Sequence, residues 1–144
     1  MIPDFTEDGL LPAGVHRASL AEFERRFSYF KISDRRFRLF DKLHELHRQA
    51  KSSGIVRRIL VGGSFVTTKS EPNDFDCIIV LDPAIWERDL RPMEYNVVSR
   101  RMTRRLFGGD IIPVVEGTEL HQEYMRLFQA TRDGAPMGVV EIEL

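Results

Sequence analysis

The sequence predicts an α/β (α+β) domain, a mixed β-sheet flanked by helices, in a single unit over residues 1–144. Three observations predict it. Apolar runs at 55–61, 74–81 and 110–115 have the length and β-branched content of buried strands. Around them lie segments whose apolar residues recur every three or four positions, the period of a helix laid on a sheet. Glycines and prolines fall at the joints between these segments, and no repeat, low-complexity tract or long linker divides the chain.

Taken in order, Leu11-Pro12-Ala13-Gly14 is an extended entry. Ser19 with Glu22 three residues later is a capping-box signature, and it opens a short helix with Leu20, Phe23 and Phe27 on one face. Ser33 is a second candidate cap. From 34 to about 51, Phe37, Phe40, Leu43 and His47 recur at three and four, and Gly54 ends that helix. Residues 55–61 form a strand, a glycine turn follows, and 74–81 form a second strand stopped by Asp82-Pro83. The segment 92–107, with Val97, Val98, Met102, Leu106 and Phe107 among arginines, is a helix closed by Gly108-Gly109. Residues 110–115 are the third strand, and Thr118 caps a last helix through Phe128. After the Asp133-Gly134 turn, 138–144 alternate as a final, half-exposed strand.

A chain of 144 residues buries roughly two thirds of the surface it would expose unfolded, so it needs no staple. At 42% hydrophobic and 30% charged it is a globular composition with no run approaching the ~18 apolar residues of a membrane span. Asp4, Glu7 and Asp8 argue against a signal peptide. The lone Cys77, inside an apolar strand, excludes a disulfide framework and points to a buried small hydrophobe in the cytoplasm. The net charge of -1 hides clusters at Arg35, Arg36 and Arg38, at Arg57 and Arg58, and at Arg100, Arg101, Arg104 and Arg105. Nucleic-acid binding is permitted, not demanded.

The most chemical stretch runs from Gly62 to Asp76. On a strand, Asp74 and Asp76 project to one face while Phe75 and Cys77 point to the other. Two carboxylates in one small space repel unless a cation joins them, and Mg2+ or Mn2+ takes carboxylate oxygens together with substrate phosphates. Gly62 and Gly63 let backbone approach a phosphate, and Ser64 adds a hydroxyl. Asp110, starting a strand after a double glycine, either merely begins that strand or supplies a third carboxylate for a two-metal site.

A hydrophobic residue, Gly63, Ser64, a nine-residue gap, then Asp74, Phe75 and Asp76 resembles the motif of the nucleotidyltransferase superfamily, which includes DNA polymerase beta and the minimal nucleotidyltransferases of prokaryotes. Leu11 to His16, Ser64 to Thr67, Pro72-Asn73-Asp74, Asp133-Gly134 and Gly138-Val139-Val140 extend the likeness, which is to a small bacterial group of that superfamily, over nearly the whole chain. The resemblance implies a nucleotidyltransferase-like mixed sheet that uses magnesium and a nucleoside triphosphate, often bound as ATP, to place a nucleotide on protein, RNA or a small molecule. It implies Asp74, Asp76 and Asp110 as metal ligands, with Asp110 alternatively the base, and Gly63 and Ser64 gripping the triphosphate. Some relatives act as antitoxins that modify or mask a partner toxin, and others as toxins that modify transfer RNA. Where the minimal enzymes carry an arginine in the turn, this chain offers Lys69.

Lys69 is either a solvated loop lysine or a phosphate contact. Arg100, Arg101, Arg104 and Arg105 form a cationic ridge that is either a solvated face or a contact for phosphates, RNA or an acidic partner. Trp86 either packs over the sheet edge or stacks on a base. Asp82 shares the parity of Asp76, but six strand residues span about 20 Å, too far for one metal centre. No histidine pair among His16, His44, His47 and His121 has zinc spacing, and Ser64 has no histidine partner for nucleophilic catalysis. The rival to an enzyme is an inactive nucleotidyltransferase-like module that neutralises a protein partner by contact.

Overall fold

The computed structural model describes residues 1–30 and 33–144. The strands are β1 (Val15–Ala18), β2 (Val56–Gly62), β3 (Asp76–Leu81), β4 (Asp110–Val115) and β5 (Val139–Ile142). Among the described residues they form one mixed sheet in the order β1-β5-β2-β3-β4. β5 is parallel to β1 and antiparallel to β2, β2 is antiparallel to β3, and β3 is parallel to β4. The helices are α1 (Leu20–Phe27), α2 (Arg35–Ser53), α3 (Tyr95–Val98), α4 (Arg100–Phe107) and α5 (Glu119–Phe128). The α+β class and the mixed sheet flanked by helices are therefore as the sequence predicts.

Side-chain alternation gives the sheet two different faces. Ile59, Val61, Cys77, Ile79, Ile111 and Val140 join Phe23 and Phe27 of α1 and Phe40, Leu43 and Leu46 of α2 in the larger core. Leu60, Ile78, Val80, Ile112, Val114 and Val139 face the other way, where Tyr124, Met125 and Phe128 of α5 cover them. Each fully buried Leu, Ile or Phe contributes about 1.5–3 kcal/mol, so this double burial, not local propensity, fixes strand register. No described helix is long and apolar enough to cross a membrane.

Several expectations need correction. β3 starts at Asp76, not Asp74, because its neighbours begin there: Gly62 and Asp110 are the register partners of Asp76, which leaves residues 74–75 outside the ladder. β1 follows the extended entry at 11–14, over residues to which the sequence assigns no element; it is four residues long and, among the described residues, pairs with β5 alone. β5 is not half-exposed, since it lies between β1 and β2 and all four residues are buried. Its one charge, Glu141, is paired with Arg58 and Arg17. The helix over 92–107 is broken at Ser99 (φ -84°, ψ 119°), whose hydroxyl accepts from Met102 N at 3.2 Å and so caps α4 instead of continuing α3. On α2, Phe37 is 43% exposed and Arg36 takes a core position at 0% exposure. The capping box of α1 is half formed: Ser19 accepts from Glu22 N at 3.1 Å, while the Glu22 carboxylate caps Ile2 N at 2.9 Å.

Candidate functional site

Asp76 and Asp110 are register partners at the start of the parallel pair β3 and β4, and their parity with Ile78 and Ile112 puts both side chains on the α5 face. Asp74 approaches from the preceding loop, and all three line one cleft of about 1080 Å³ with Gly63 and Ser64. The Asp76 carboxyl is pushed up to about 6, by burial first and then by the charges of Asp74 and Asp110, with Arg132 opposing. Asp76 thus feels the charge of both neighbours, although Asp74 meets it by loop position and not by strand alternation.

Glycine is required at the turn. Gly63 has φ +70°, and a Cβ there would run into the Asp76 carboxylate. Gly62 leaves space for Phe128, whose ring would lie 2.8 Å from an added Cβ. The turn after Gly63 is held from behind by Arg36. Its guanidinium donates to the carbonyls of Phe65 (2.6 Å), Thr67 (2.8 Å), Lys69 (2.7 Å) and Phe27 (2.9 Å), and it stacks on the Phe30 ring at 3.8 Å. Burial lowers its pKa to about 10, so it remains charged at neutral pH. A charge hidden from water is here solvated by backbone dipoles, and it fixes the loop that carries Ser64, Thr67 and Lys69 into the cleft.

Cations rim the acid floor. Lys69 lines the cleft, as do Arg100 and Arg104, one helical turn apart on α4, and Arg132. Arg101 and Arg105 of the same ridge do not line it. Arg100 Nη2 lies 3.4 Å from Asp110 Oδ1, and both are about half exposed. Tyr124, Leu127 and Phe128 of α5 form an apolar wall. Neither Arg132 nor that wall is signalled by any local motif. Arg132 is delivered by a loop closed through Thr131 N to Ala135 O (2.8 Å) and Met137 N to Gln129 O (3.0 Å).

Other candidates fall away. Trp86 is 76% exposed and follows the far end of β3, so it neither packs on the sheet edge nor reaches the cleft. Asp82 caps Ala84 N and pairs with Arg57 at 3.3 Å. His47 bonds the Glu143 carbonyl at 2.7 Å and His44 stacks on Phe40, both structural uses. Cys77 is fully buried and its thiol is pushed well up by burial.

The donor set suits a hard cation. The carboxylate oxygens of Asp74 and Asp76, mutually repelling and in no ion pair among the described residues, match Mg2+ or Mn2+ in chemistry and charge. In this conformation, among the described residues, no three Asp, Glu, His or Cys side chains converge closely enough to hold an ion.

Fold and site together define an α+β protein with a carboxylate-floored, arginine-rimmed cleft at one end of a mixed sheet. The chain belongs to a family of unknown function, DUF6932, whose profile matches residues 3–143. No curated protein and no solved structure matches it.

Proposed function

We propose that this protein is a magnesium-dependent nucleotidyltransferase of the cytoplasm, with a nucleotidyltransferase-like fold. One observation carries the reading: Asp76 and Asp110 sit in register on parallel strands, beside Asp74, against a Gly63-Ser64 turn too tight for any side chain at Gly63. Gly63 and Ser64 hold the triphosphate, and Lys69, Arg100, Arg104 and Arg132 neutralise it. Asp74 and Asp76 would hold Mg2+ or Mn2+, with Asp110 as third ligand or base, and the ion when bound neutralises developing charge and lowers the pKa of the attacking hydroxyl. The acceptor oxygen attacks the α-phosphorus and the bond to the β-phosphate oxygen breaks. Pyrophosphate leaves with that electron pair, and the hydroxyl proton passes to Asp110.

Incubation with labelled nucleoside triphosphates, magnesium and a cell lysate tests this. Wild type labels an acceptor and Asp76→Ala does not. Absence of both label transfer and magnesium-dependent triphosphate binding in the wild type sinks the reading.

The pairing of Arg100 with Asp110 favours a second reading, because it engages the third carboxylate. On that view the chain is an inactive module that neutralises a partner, of the toxin kind, by contact. Partner association would then survive Asp76→Ala and fail on charge reversal from Arg100 to Arg105.

A further inference from the structure

The helix α2 packs on the sheet face opposite Asp76 and Asp110, and beside it lies a second groove of about 380 Å³. Arg35, Arg38, Leu39 and Lys42 line it together with Asn73, the one residue it shares with the cleft. Three of those five residues are cations and none is an acid. Arg35, Arg38 and Lys42 fall at spacings of three and four, a single stripe about 10 Å long. Arg35 donates to neutral oxygens, the Glu71 carbonyl at 3.5 Å and Asn73 Oδ1 at 3.4 Å. Both bonds are long, and a phosphate oxygen is the stronger acceptor. Arg38 pairs with Asp34 at 3.2 Å, but both side chains are mostly exposed, where an ion pair is weak. Lys42 Nζ lies against Gly108, the left-handed cap of α4, and the carbonyl end of that helix favours an ammonium there.

The geometry points to this groove as a binding site for a compact diphosphate group, whose occupancy is felt by the loop 71–74. A lone phosphate or sulfate meets only one turn of the stripe, whereas two linked phosphoryl groups reach from Arg35 towards Lys42. A nucleic-acid strand or an acidic protein segment needs a longer track than two helical turns. Leu39, the single apolar lining residue, also offers little for a base or an apolar anchor to pack on. Arg35 is the link to the loop. Its two bonds hold the backbone at Glu71 and the side chain of Asn73, immediately before Asp74. When its guanidinium turns to a bound diphosphate, those oxygens are released and the segment carrying Asp74 relaxes. Occupancy of the groove and the position of Asp74 are then coupled in both directions, whatever reaction the cleft performs. The assignment therefore does not rest on the nucleotidyltransferase reading.

Titration with pyrophosphate in the absence of magnesium, followed by amide proton–nitrogen correlation spectra, tests this. The starting protein carries Arg100→Gln and Arg104→Gln, which thin the cations of the cleft and keep its own anion binding from masking the groove. Amides of residues 35–42 and 71–74 should shift together along one saturating curve. Adding Arg38→Gln and Lys42→Gln weakens that curve about tenfold, with the thermal midpoint unchanged. If that protein fails to fold, Arg38→Gln alone serves, with a loss of about threefold. At saturation, Arg35→Gln keeps the shifts at 38–42 and loses those at 71–74. Sulfate binds about tenfold more weakly than pyrophosphate. ADP carries the same group on a nucleoside, so the tighter of ADP and pyrophosphate identifies the source of the diphosphate. No shift at 35–42, or equal curves with and without the groove substitutions in folded protein, overturns the site. Shifts at 35–42 with 71–74 unmoved overturn the coupling to Asp74. Sulfate binding as tightly as pyrophosphate overturns the diphosphate assignment in favour of unselective charge, and polyglutamate doing so overturns it in favour of an acidic protein partner.

Discussion

Gly63 stands against the carboxylate of Asp76, so closely that a methyl group on Gly63 would occupy the space of that carboxylate. Gly63→Ala therefore carries two burdens: a Cβ at φ +70°, costing about 1 kcal/mol, and displacement of Asp76. Gly134→Ala, at φ +84° with open space around it, carries only the first. Denaturant unfolding should show both losses of stability, and magnesium-dependent triphosphate binding should fail only in Gly63→Ala.

The pH dependence of the ligand-free protein should bear the mark of Asp76. Its carboxyl is raised from the ordinary 3.8 to about 6 in the fold, so between those values the native state holds more protons than the unfolded one. Stability accordingly falls as pH rises from about 4 to 6 and stays reduced above. With screening at a partly exposed site, the effect is about 1 kcal/mol. Thermal midpoints for wild type and Asp76→Asn should diverge across this window, with the variant more stable at neutral pH. Magnesium should restore the wild type there and leave the variant less changed.

Arg100 should act oppositely on two ligands. Its pairing with Asp110 competes with a cation at that carboxylate, yet its position on the rim attracts phosphate. Arg100→Gln should tighten magnesium binding about two- to fivefold, in line with an exposed pair. It should weaken triphosphate binding about tenfold. Calorimetric titration of each ligand separately measures both signs.

Arg36→Met should cost about 3–5 kcal/mol, since it leaves carbonyls of the turn without donors in a dry interior. Lysine cannot reproduce a planar fork of five donors, so Arg36→Lys should recover little. Urea unfolding gives the stability change. Protease cleavage within residues 64–69 of the still-folded variant would show the turn released before the rest.

Cys77 should resist a soluble thiol reagent in the folded state and react on unfolding, with the rate tracking global opening. Rapid native labelling would contradict the packing of β3.

Much of this arrangement is legible in the sequence because it is local. Thr118 and Ser19 announce their helices by cap chemistry, and 110–115 read as a strand because both faces are apolar. Asp76 and Asp110 stand out because acids open otherwise apolar runs. What stays hidden depends on partners distant in sequence. No pattern in Val15–Ala18 marks a strand until β5 lies beside it. Arg36 reads as a surface cation among surface cations, and only the fold surrounds it with carbonyls. Arg132 and Phe128 enter the cleft through a loop path and a helix docking that no spacing encodes. Ser99 reads as a tolerable helix residue because its neighbours are periodic; its hydroxyl wins by capping a helix that starts with it.

The place of β5 between β1 and β2 bears on the order in which the molecule can assemble. Among the described residues, 15–18 have no ladder partner other than 139–142, and those also lie against residues 59–61. The sheet edge beyond β2 therefore stays open until a segment more than a hundred residues downstream of β1 arrives. Loop closure of that span gains nothing until it is complete, so this part of the sheet should be the slow step in refolding. The antiparallel pair β2 and β3, joined by the thirteen residues 63–75, is local by comparison and can form early and wait. Until β5 docks, the β2 edge is an unpaired template open to strands of other chains, which makes crowded refolding of this protein a contest between its own last strand and its neighbours.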